Sequence, residues 1–513
     1  MMKNNEGFDN DSDRISDLPD CVIHCIFKFL DTKYAVQTCV LSKRWRYVWK
    51  SLPFLYFNSC LYLPNNKTKL FKGFNDFVDK VLLFRDDTSN IQSFFFTNHG
   101  CPIPLDDIHY DFKTWILTAL RSNVEDLDLS VSPDIKSYRL THHGYFHQLP
   151  HECLFSCKSL RILKLNFCFG DCPTELKIPD SMSLPRLKTL VLRGFRFEYS
   201  SNNIANKIFS SSCCPVLESL SLSGCVFNET GLDISAPQLK HLEIENYRYF
   251  YPPSYSNEEN FDEEDEYPIK LYAPNLISFD CKDHLMSRDY SIENLSALVK
   301  AEIGLGTDVY DGDEVPYLND KERKLYSQRM MKFLRALHNV ETLAIRAPFL
   351  YVVSADTALL ESTHIQFCNI RCLKLRTWLS RDCINSITYI LRISPNIETL
   401  FLDIIRDKKG ILPIYAIPDE VRFNSANIEI HLETEVSLHH LKDVTIRGAQ
   451  GRLNEFAFLE ILLKKAMVLK SVTLYTPKKK SPNSIPIKTQ SEKIVQQLQA
   501  LPRAASSIIF TVV

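Results

Sequence analysis

The sequence predicts an α/β protein with three parts: a module of three short helices, a solenoid with a curved parallel sheet, and a closing α+β module. Three observations lead to this prediction. Apolar residues recur at helical spacing over 13–52, a short leucine template recurs from about residue 90 onward, and a strand-helix-strand pattern occupies 438–475. The chain has 513 residues, of which 45% are hydrophobic and 24% charged, so its composition is that of a globular protein.

Residues 13–52 predict three short helices. Pro19 can begin the first, whose apolar residues recur at steps of three and four and are expected to form one stripe. This stripe contains Val22, Ile23, Ile26, Phe29 and Leu30. The second helix includes Ala35, and Ser42 can cap a third helix that carries Trp45. Because so short a segment cannot bury all this apolar surface internally, we expect part of it to cover a partner or the next domain.

The same segment resembles an F-box, the motif that binds the Skp-type adaptor of cullin ubiquitin ligases. Residues 17–20 (DLPD) match the opening of the motif and residues 40–46 (VLSKRWR) match its close, so the resemblance implies an F-box over 12–58. The adaptor-facing residues that the resemblance implies are Leu18, Pro19, Ile23, Ile26, Leu30, Val40, Leu41 and Trp45. Cys21 departs from the acidic residue that the family often has there. A helical cap that packs only on its own chain is the alternative.

Beyond residue 90 the template L-x-x-L-x-L recurs, with other apolar residues in place of some leucines. Clear copies begin at Val124, Leu160, Leu187, Leu217, Leu239, Val340, Ile370 and Ile397, and weaker ones at Ile91, Leu276 and Leu298. The first positions from 124 to 239 are separated by 36, 27, 30 and 22 residues, close to the leucine-rich-repeat length of about 20–29. We expect an irregular leucine-rich-repeat array over 90–430, with an acidic loop at 250–267, similar to that of plant F-box proteins. Short strands of an ordinary α/β sheet are the alternative.

Alternation within each copy directs its last two apolar residues into a shared core and the residues between them to the opposite face of a parallel strand. These exposed strand positions are where a target protein would be bound. The target-binding candidates are Lys164, Asn166, Arg193, His241, Glu243, Lys374 and Arg376. Their charges are mixed in sign, which fits a protein surface better than a phosphate pocket. For any single candidate, an ordinary solvated sheet residue is the alternative.

Residues 438–475 predict a strand ending near Ile446, a turn with Gly448 and Gly451, a helix, and a second strand at 472–475. This β-α-β unit and the closing residues 491–513 resemble the FBD domain that follows plant F-box and leucine-rich segments. The resemblance implies an FBD-like domain over 431–513.

The composition and the missing motifs disfavour several classes of function. Sixty Lys and Arg against 62 Asp and Glu give a net charge of −2, so we expect no nucleic acid partner. No apolar run is long enough to span a bilayer, so we expect no membrane partner and a location in the cytoplasm, the nucleus or both. No phosphate-binding loop, metalloprotease, hydrolase or C-x-x-C motif occurs, so we expect no catalytic residue, no cofactor and no metal.

The resemblance to F-box proteins implies a non-catalytic substrate receptor of a Skp-cullin-F-box E3 ubiquitin ligase. Its F-box would bind the Skp-type adaptor, and through it a cullin, while the repeat array would bind an unidentified target protein for ubiquitination. A leucine-rich interaction scaffold without a ligase role is the alternative from another class. A small-molecule sensor is a third hypothesis, but it needs a basic pocket, which the mixed-sign candidates do not indicate.

Overall fold

The computed structural model of the chain divides into two compact units. Unit 1 comprises residues 1–208 and 212–217, and unit 2 comprises residues 209–211 and 218–513. The structure describes residues 17–62, 69–99, 109–132, 149–167, 174–179, 181–199, 209–227, 231–245, 269–283, 290–293, 295–305, 320–356, 366–405, 438–449, 453–475, 496–505 and 507–512.

Unit 1 opens with the three predicted helices, α1 (Asp20–Phe27), α2 (Thr32–Gln37) and α3 (Trp45–Val48). Helix α1 begins after Pro19, whose carbonyl oxygen accepts the first helical hydrogen bonds. Asp31 caps α2 by accepting a hydrogen bond from the backbone N–H of Lys33 at 2.8 Å. The Ser42 hydroxyl accepts one from the N–H of Trp45 at 3.2 Å, as the capping prediction required.

The rest of unit 1 is a parallel sheet with helices between its strands. In spatial order the strands are β1 (Phe54–Asn58), β2 (Ser93–His99), β3 (Asp126–Ser132), β4 (Ile162–Phe167) and β6 (Thr189–Arg193), while β5 (Thr174–Ile178) and β7 (Phe195–Tyr199) pair separately. The intervening helices are α4 (Lys69–Phe84), α5 (His109–Arg121) and α6 (His151–Phe155). One buried row crosses the sheet and contains Leu55, Phe94, Leu127, Leu163 and Leu190, each at most 1% exposed. This row forms part of the hydrophobic core of unit 1.

Unit 2 repeats the same arrangement. Its main parallel sheet contains, in spatial order, β8 (Ser219–Ser223), β10 (His241–Glu245), β12 (Ser278–Asp283), β14 (Lys300–Leu305), β15 (Thr342–Arg346), β16 (Cys372–Thr377), β17 (Thr399–Ile404), β18 (Asp443–Arg447), β19 (Ser471–Tyr475) and β20 (Ile509–Val512). A second sheet contains β9 (Leu232–Ser235), β11 (Ile269–Tyr272) and β13 (Tyr290–Glu293). The helices are α7 (Asp320–Ala336), α8 (Ala347–Val353), α9 (Arg381–Ile393) and α10 (Leu453–Lys465).

The strand order identifies the architecture as a repeat solenoid. In each main sheet the strands follow chain order, and every strand that is skipped belongs to a smaller second sheet. The weaker copies at Ile91, Leu276 and Leu298 lead into β2, β12 and β14, so they are genuine repeats. This confirms the predicted fold class, in which each repeat buries its leucines against its neighbours.

The predicted β-α-β unit near the C-terminus is present as β18, α10 and β19. These strands pair in parallel with β17 and with each other, so they continue the sheet of the repeats. The predicted boundary at residue 430 and the acidic loop at 250–267 lie outside the described residues. The assignment of 431–513 to an FBD-like domain therefore stays a prediction.

None of the helices in the described part of the chain combines the length and the apolar character that crossing a bilayer requires. No group of three or more His, Cys, Asp or Glu side chains in that part of the chain is arranged to hold a metal ion.

Candidate adaptor-binding surface and repeat face

Helix α1 has two apolar sides, and only one of them is exposed. Val22 and Ile26 on this helix, and Phe29 two residues past its end, follow one another at steps of four and three and are 40%, 43% and 86% exposed. Ile23 and Phe27 lie on the other side and are 0% and 2% exposed. The prediction of a single stripe that contains both Val22 and Ile23 is therefore wrong. Helical periodicity separates the series at 22, 26 and 29 from the series at 23 and 27, but it does not say which of the two is exposed.

The buried side of α1 packs on α3. The ring of Phe27 meets that of Trp45 edge-to-face, with centroids 5.4 Å apart and an interplanar angle of 80°. His24 Nε2 lies 3.2 Å from the carbonyl oxygen of Val48, which joins the two helices again. Ile23 and Trp45 were both expected at the adaptor-facing surface. The structure buries both side chains instead, with Ile23 0% and Trp45 6% exposed.

The other predicted adaptor-facing residues reach the surface. Val40 and Leu41, which follow α2, are 83% and 68% exposed. Pro19 and Ile26 are also exposed, whereas Leu18 and Leu30 are half-buried. Sequence reasoning did not select Tyr34 and Tyr47, which are 45% and 60% exposed. We use the term F-box surface for the exposed apolar side chains Val22, Ile26, Phe29, Val40 and Leu41.

Hydrogen bonds attach this helical module to the first strand of the sheet. The hydroxyl of Thr32 accepts a hydrogen bond from the N–H of Tyr56 at 2.8 Å, and the carboxylate of Asp31 accepts one from the N–H of Asn58 at 3.1 Å. Burial raises the pKa of Asp31, although the N–H groups of Lys33 and Asn58 oppose that shift. The start of α2 is thus fixed to β1.

Arg85 forms a second attachment. Its buried guanidinium donates to the carbonyl oxygens of Leu52, Ser89 and Asn90, the last two at 3.0 and 2.8 Å. Burial lowers the pKa of Arg85 to about 10, which leaves it protonated at neutral pH. The planar fork of a guanidinium suits three acceptors, so Arg85 holds the end of the helical module against the loop after α4.

Three of the seven target-binding candidates lie on the exposed sheet face of unit 1. Lys164 Nζ is 3.7 Å from the carboxylate of Asp128 on the neighbouring strand. Asn166 on β4 lies directly opposite Arg193 on β6. Burial raises the pKa of Asp128, while the charge of Lys164 opposes the shift. The three candidates lie on the neighbouring strands β4 and β6 and form one polar patch with Asp128 of β3.

The other four candidates lie on the exposed face of unit 2, in two separate places. His241 and Glu243 are on β10, where Glu243 accepts a hydrogen bond from the Ser221 hydroxyl at 2.8 Å. Lys374 and Arg376 are on β16, four strands further along the sheet. At about 4.8 Å per strand this separates the two pairs by about 19 Å, so they do not form a single cluster.

Charged residues that sequence reasoning did not select lie between these two places. Lys282 Nζ is 3.0 Å from Asp280 and 3.7 Å from Glu302, and Arg346 is 3.5 Å from Glu302. Burial raises the pKa of Asp280, and the nearby carboxylates of Glu302 and Glu243 raise it further, while Lys282 opposes the shift. Burial alone would lower the pKa of Lys282, but its hydrogen bond to Asp280 and the charges of Asp280 and Glu302 raise it overall.

A sequence signal for some of these residues existed. Lys282, Arg346, Arg376 and Arg447 each follow directly after the last apolar residue of a strand. Arg193 and Arg376, which occupy this position on β6 and β16, were among the candidates, whereas Lys282, Arg346 and Arg447 were not.

Comparison with known proteins identifies the family. The family model for the F-box domain matches residues 15–57, and the model for the leucine-rich repeats of FBD-associated F-box protein At5g56370 matches residues 112–250. An F-box/LRR-repeat protein of Arabidopsis thaliana is 31% identical over 396 residues, which cover 76% of this chain and 91% of the relative. The chain belongs to the F-box/LRR-repeat family.

Two further relatives of this F-box/LRR-repeat chain come from the same plant. A putative F-box/LRR-repeat protein is 30% identical over 356 residues, which span 67% of this chain and 61% of the relative. A putative FBD-associated F-box protein is 28% identical over 470 residues, which span 90% of this chain and 94% of the relative. The F-box match at 15–57 covers α1, α2 and α3 and ends within β1.

Proposed function

We propose that this F-box/LRR-repeat protein is the target-recognition subunit of a Skp-cullin-F-box ubiquitin ligase. The observation that carries the proposal is the F-box surface. Five large apolar side chains are exposed on a helical module whose own core is already filled by Ile23, Phe27 and Trp45. Exposed apolar side chains concentrated on one small module are typical of a protein-binding surface.

The adaptor is the proposed occupant of the F-box surface. Val40 and Leu41 are the central contacts in this proposal, because they are apolar, strongly exposed and lie at the end of the short turn Thr38–Val40 that follows α2. Leu18, Pro19, Ile26 and Leu30 contribute at its margin. Ile23 and Trp45 act as positioning residues, since both are buried and Trp45 of α3 packs on Phe27 of α1.

The repeat face is the proposed site for the target protein. The candidate residues are Lys164, Asn166, Arg193, His241, Glu243, Lys374 and Arg376. With an adaptor bound at one part of the chain and a target at another, the protein would raise the effective concentration of target lysines near the ubiquitin-carrying subunits. No side chain of this chain needs to make or break a bond in that role, so we propose a non-catalytic receptor.

Calorimetric titration of the full chain with a plant Skp-type adaptor tests the adaptor part. We expect saturable binding that Val40→Asp weakens by at least about tenfold, because a carboxylate in an apolar contact must be desolvated. Val468→Asp is the matched control. Val468 is also an exposed valine, at 44%, but it lies in unit 2 before β19.

Each outcome of this titration has a defined meaning. Equal affinity of Val40→Asp and wild-type protein would remove Val40 from the contact. Absence of binding by a wild-type chain whose helices are shown to be folded by circular dichroism would contradict the ligase role and favour the interaction scaffold. Equal losses in Val40→Asp and Val468→Asp would indicate a general effect on folding rather than a contact.

A further inference from the structure

A row of cations crosses the exposed sheet face of unit 2. The register aligns, on successive strands, Lys282, Gly304, Arg346, Arg376, Asp403, Arg447 and Tyr475. Gly304 makes room for this arrangement, because a Cβ there would lie 2.9 Å from Cδ of Arg346. We call the residues Arg346, Lys374, Arg376 and Arg447 the cation patch, with Lys374 contributed by the same strand as Arg376.

The cation patch places two like charges side by side. Arg346 and Arg376 lie directly opposite each other on β15 and β16, and like charges in that position destabilise a sheet. Each also lies within ion-pair distance of one carboxylate on the neighbouring strand, Arg346 at 3.5 Å from Glu302 and Arg376 at 4.0 Å from Asp403, which offsets part of that repulsion. Over β15–β19 the exposed face carries four cations but only two carboxylates, Asp403 and Asp443.

Two cations of the patch are held by aromatic rings. Lys374 Nζ lies 5.7 Å from the ring centroid of Phe401, and the guanidinium of Arg447 lies 5.4 Å from that of Tyr475. Within the described part of the chain, neither cation has a carboxylate within ion-pair distance. A ring beneath a cation fixes its position and leaves its N–H groups able to donate to a ligand.

The surroundings of the cation patch limit the kind of anion that it can take. On the side of β10, the carboxylates of Glu243, Asp280 and Glu302 lie opposite one another on three neighbouring strands. A long polyanion that ran along the sheet would meet this carboxylate group and be repelled. From Arg346 to Arg447 the patch spans three strand steps, about 14 Å, which is the length of about four or five residues of extended chain.

We propose that the cation patch binds a short acidic segment of the target protein, in extended conformation. This inference rests on the proposed function for the identity of the partner as a target, while the binding itself depends only on the patch. Carboxylates of the segment would accept hydrogen bonds from Arg346 and Arg447 and neutralise the Arg346–Arg376 pair. A fork of guanidinium N–H groups is well suited to carboxylates.

Fluorescence anisotropy of the purified full chain tests the proposal with a labelled poly-glutamate peptide of about ten residues. We expect saturable binding that weakens as salt is raised, since exposed charges are screened. Arg447→Gln should weaken binding about three- to tenfold, and Arg447→Gln with Lys374→Gln should weaken it further. Lys465→Gln is the matched control, because Lys465 is an exposed cation at the end of α10.

Several results would overturn the proposal. Unchanged affinity in Arg447→Gln with Lys374→Gln, or equal binding of a poly-glutamine peptide, would exclude the patch as an acidic-segment site. Binding of an oligouridylate as tightly as poly-glutamate would indicate that the ligand of the cation patch is a nucleic acid and not an acidic protein segment. Because Lys374 and Arg447 are surface residues, circular dichroism should show both variants folded. Val40→Asp should retain peptide binding, so a failure of adaptor binding and a failure of the cation patch are distinguishable.

Discussion

Replacement of Trp45 tests whether this residue supports the F-box surface from the core or contacts the adaptor itself. Its side chain is 6% exposed, and its ring packs edge-to-face on Phe27. Its Nε1 is buried and has no hydrogen-bond partner among the residues that the structure describes. Trp45→Ala removes the whole ring system, which should destabilise unit 1 by about 3–5 kcal/mol.

Trp45→Phe separates the two roles. The smaller ring leaves a cavity that costs about 24 cal/mol per Å³, and the mutation also removes a buried unpaired donor, which gains about 1–3 kcal/mol. A ring is still present to pack on Phe27. Because the two effects oppose each other, we expect the free energy of unfolding to stay within about 1 kcal/mol of the wild-type value.

Denaturant titration followed by circular dichroism measures stability, and calorimetry with the adaptor measures affinity. The midpoint of the first unfolding transition is compared between variants, since a chain of two units need not unfold in one step. If Trp45 is a core residue, the Trp45→Phe variant should bind the adaptor with an affinity within about twofold of the wild-type value. A loss of more than about tenfold with an unchanged midpoint would refute the core assignment, because only a direct contact would produce it.

Three further changes give distinct expected results. Arg85→Lys should destabilise unit 1 by about 2–4 kcal/mol in denaturant titration, because one ammonium group cannot reproduce the planar guanidinium fork that serves three carbonyl oxygens. Arg121→Lys at the exposed end of α5 should leave the stability of unit 1 almost unchanged. Gly448→Ala should lower the stability of unit 2 by at least about 2 kcal/mol, since the φ of Gly448 is +90° and a Cβ would lie 2.4 Å from the Ile404 carbonyl oxygen. Gly73 in α4 has open space around it, so Gly73→Ala should raise stability by about 0.5–1 kcal/mol. Equal effects of the two substitutions would contradict this contrast. The raised pKa of Asp280 means that the folded state holds the proton of this carboxyl group more tightly than the unfolded state does. The wild-type chain should therefore gain stability relative to Asp280→Asn as the pH falls from neutral toward the ordinary aspartate pKa of 3.8. A stability difference that does not change with pH would contradict the shift.

The fold followed from the sequence because the solenoid is built from local, repeated information. The leucine template at Leu160 or Ile370 contains both the alternation of a strand and the need for neighbours. Two ends of the array escaped detection for a different reason. Leu52 and Leu55 before Phe57, and Leu441 with Val444 and Ile446, also fit the template, but they lie in segments already assigned to other modules.

The candidate sites were predicted less completely, because a site depends on contacts between elements. Whether Ile23 or Val22 faces the core is decided by the position of α3, which helical periodicity alone does not contain. The cation patch depends on register, since Arg346 and Arg376 become neighbours only when β15 and β16 pair in one alignment. Spacing along the chain carries no information on that alignment.

The direct passage from the last F-box helix into the sheet has a mechanical consequence. After α3 and the short turn Trp49–Ser51, only Leu52 and Pro53 precede β1, and Arg85 holds the Leu52 carbonyl oxygen. No flexible linker therefore separates the helical module from the first repeats. In the proposed ligase, the distance and orientation between the helical module and the first repeats would be set by the fold of unit 1 rather than by the length of a linker. Flexible residues inserted after Ser51 should then slow ubiquitination while both binding events keep their affinity.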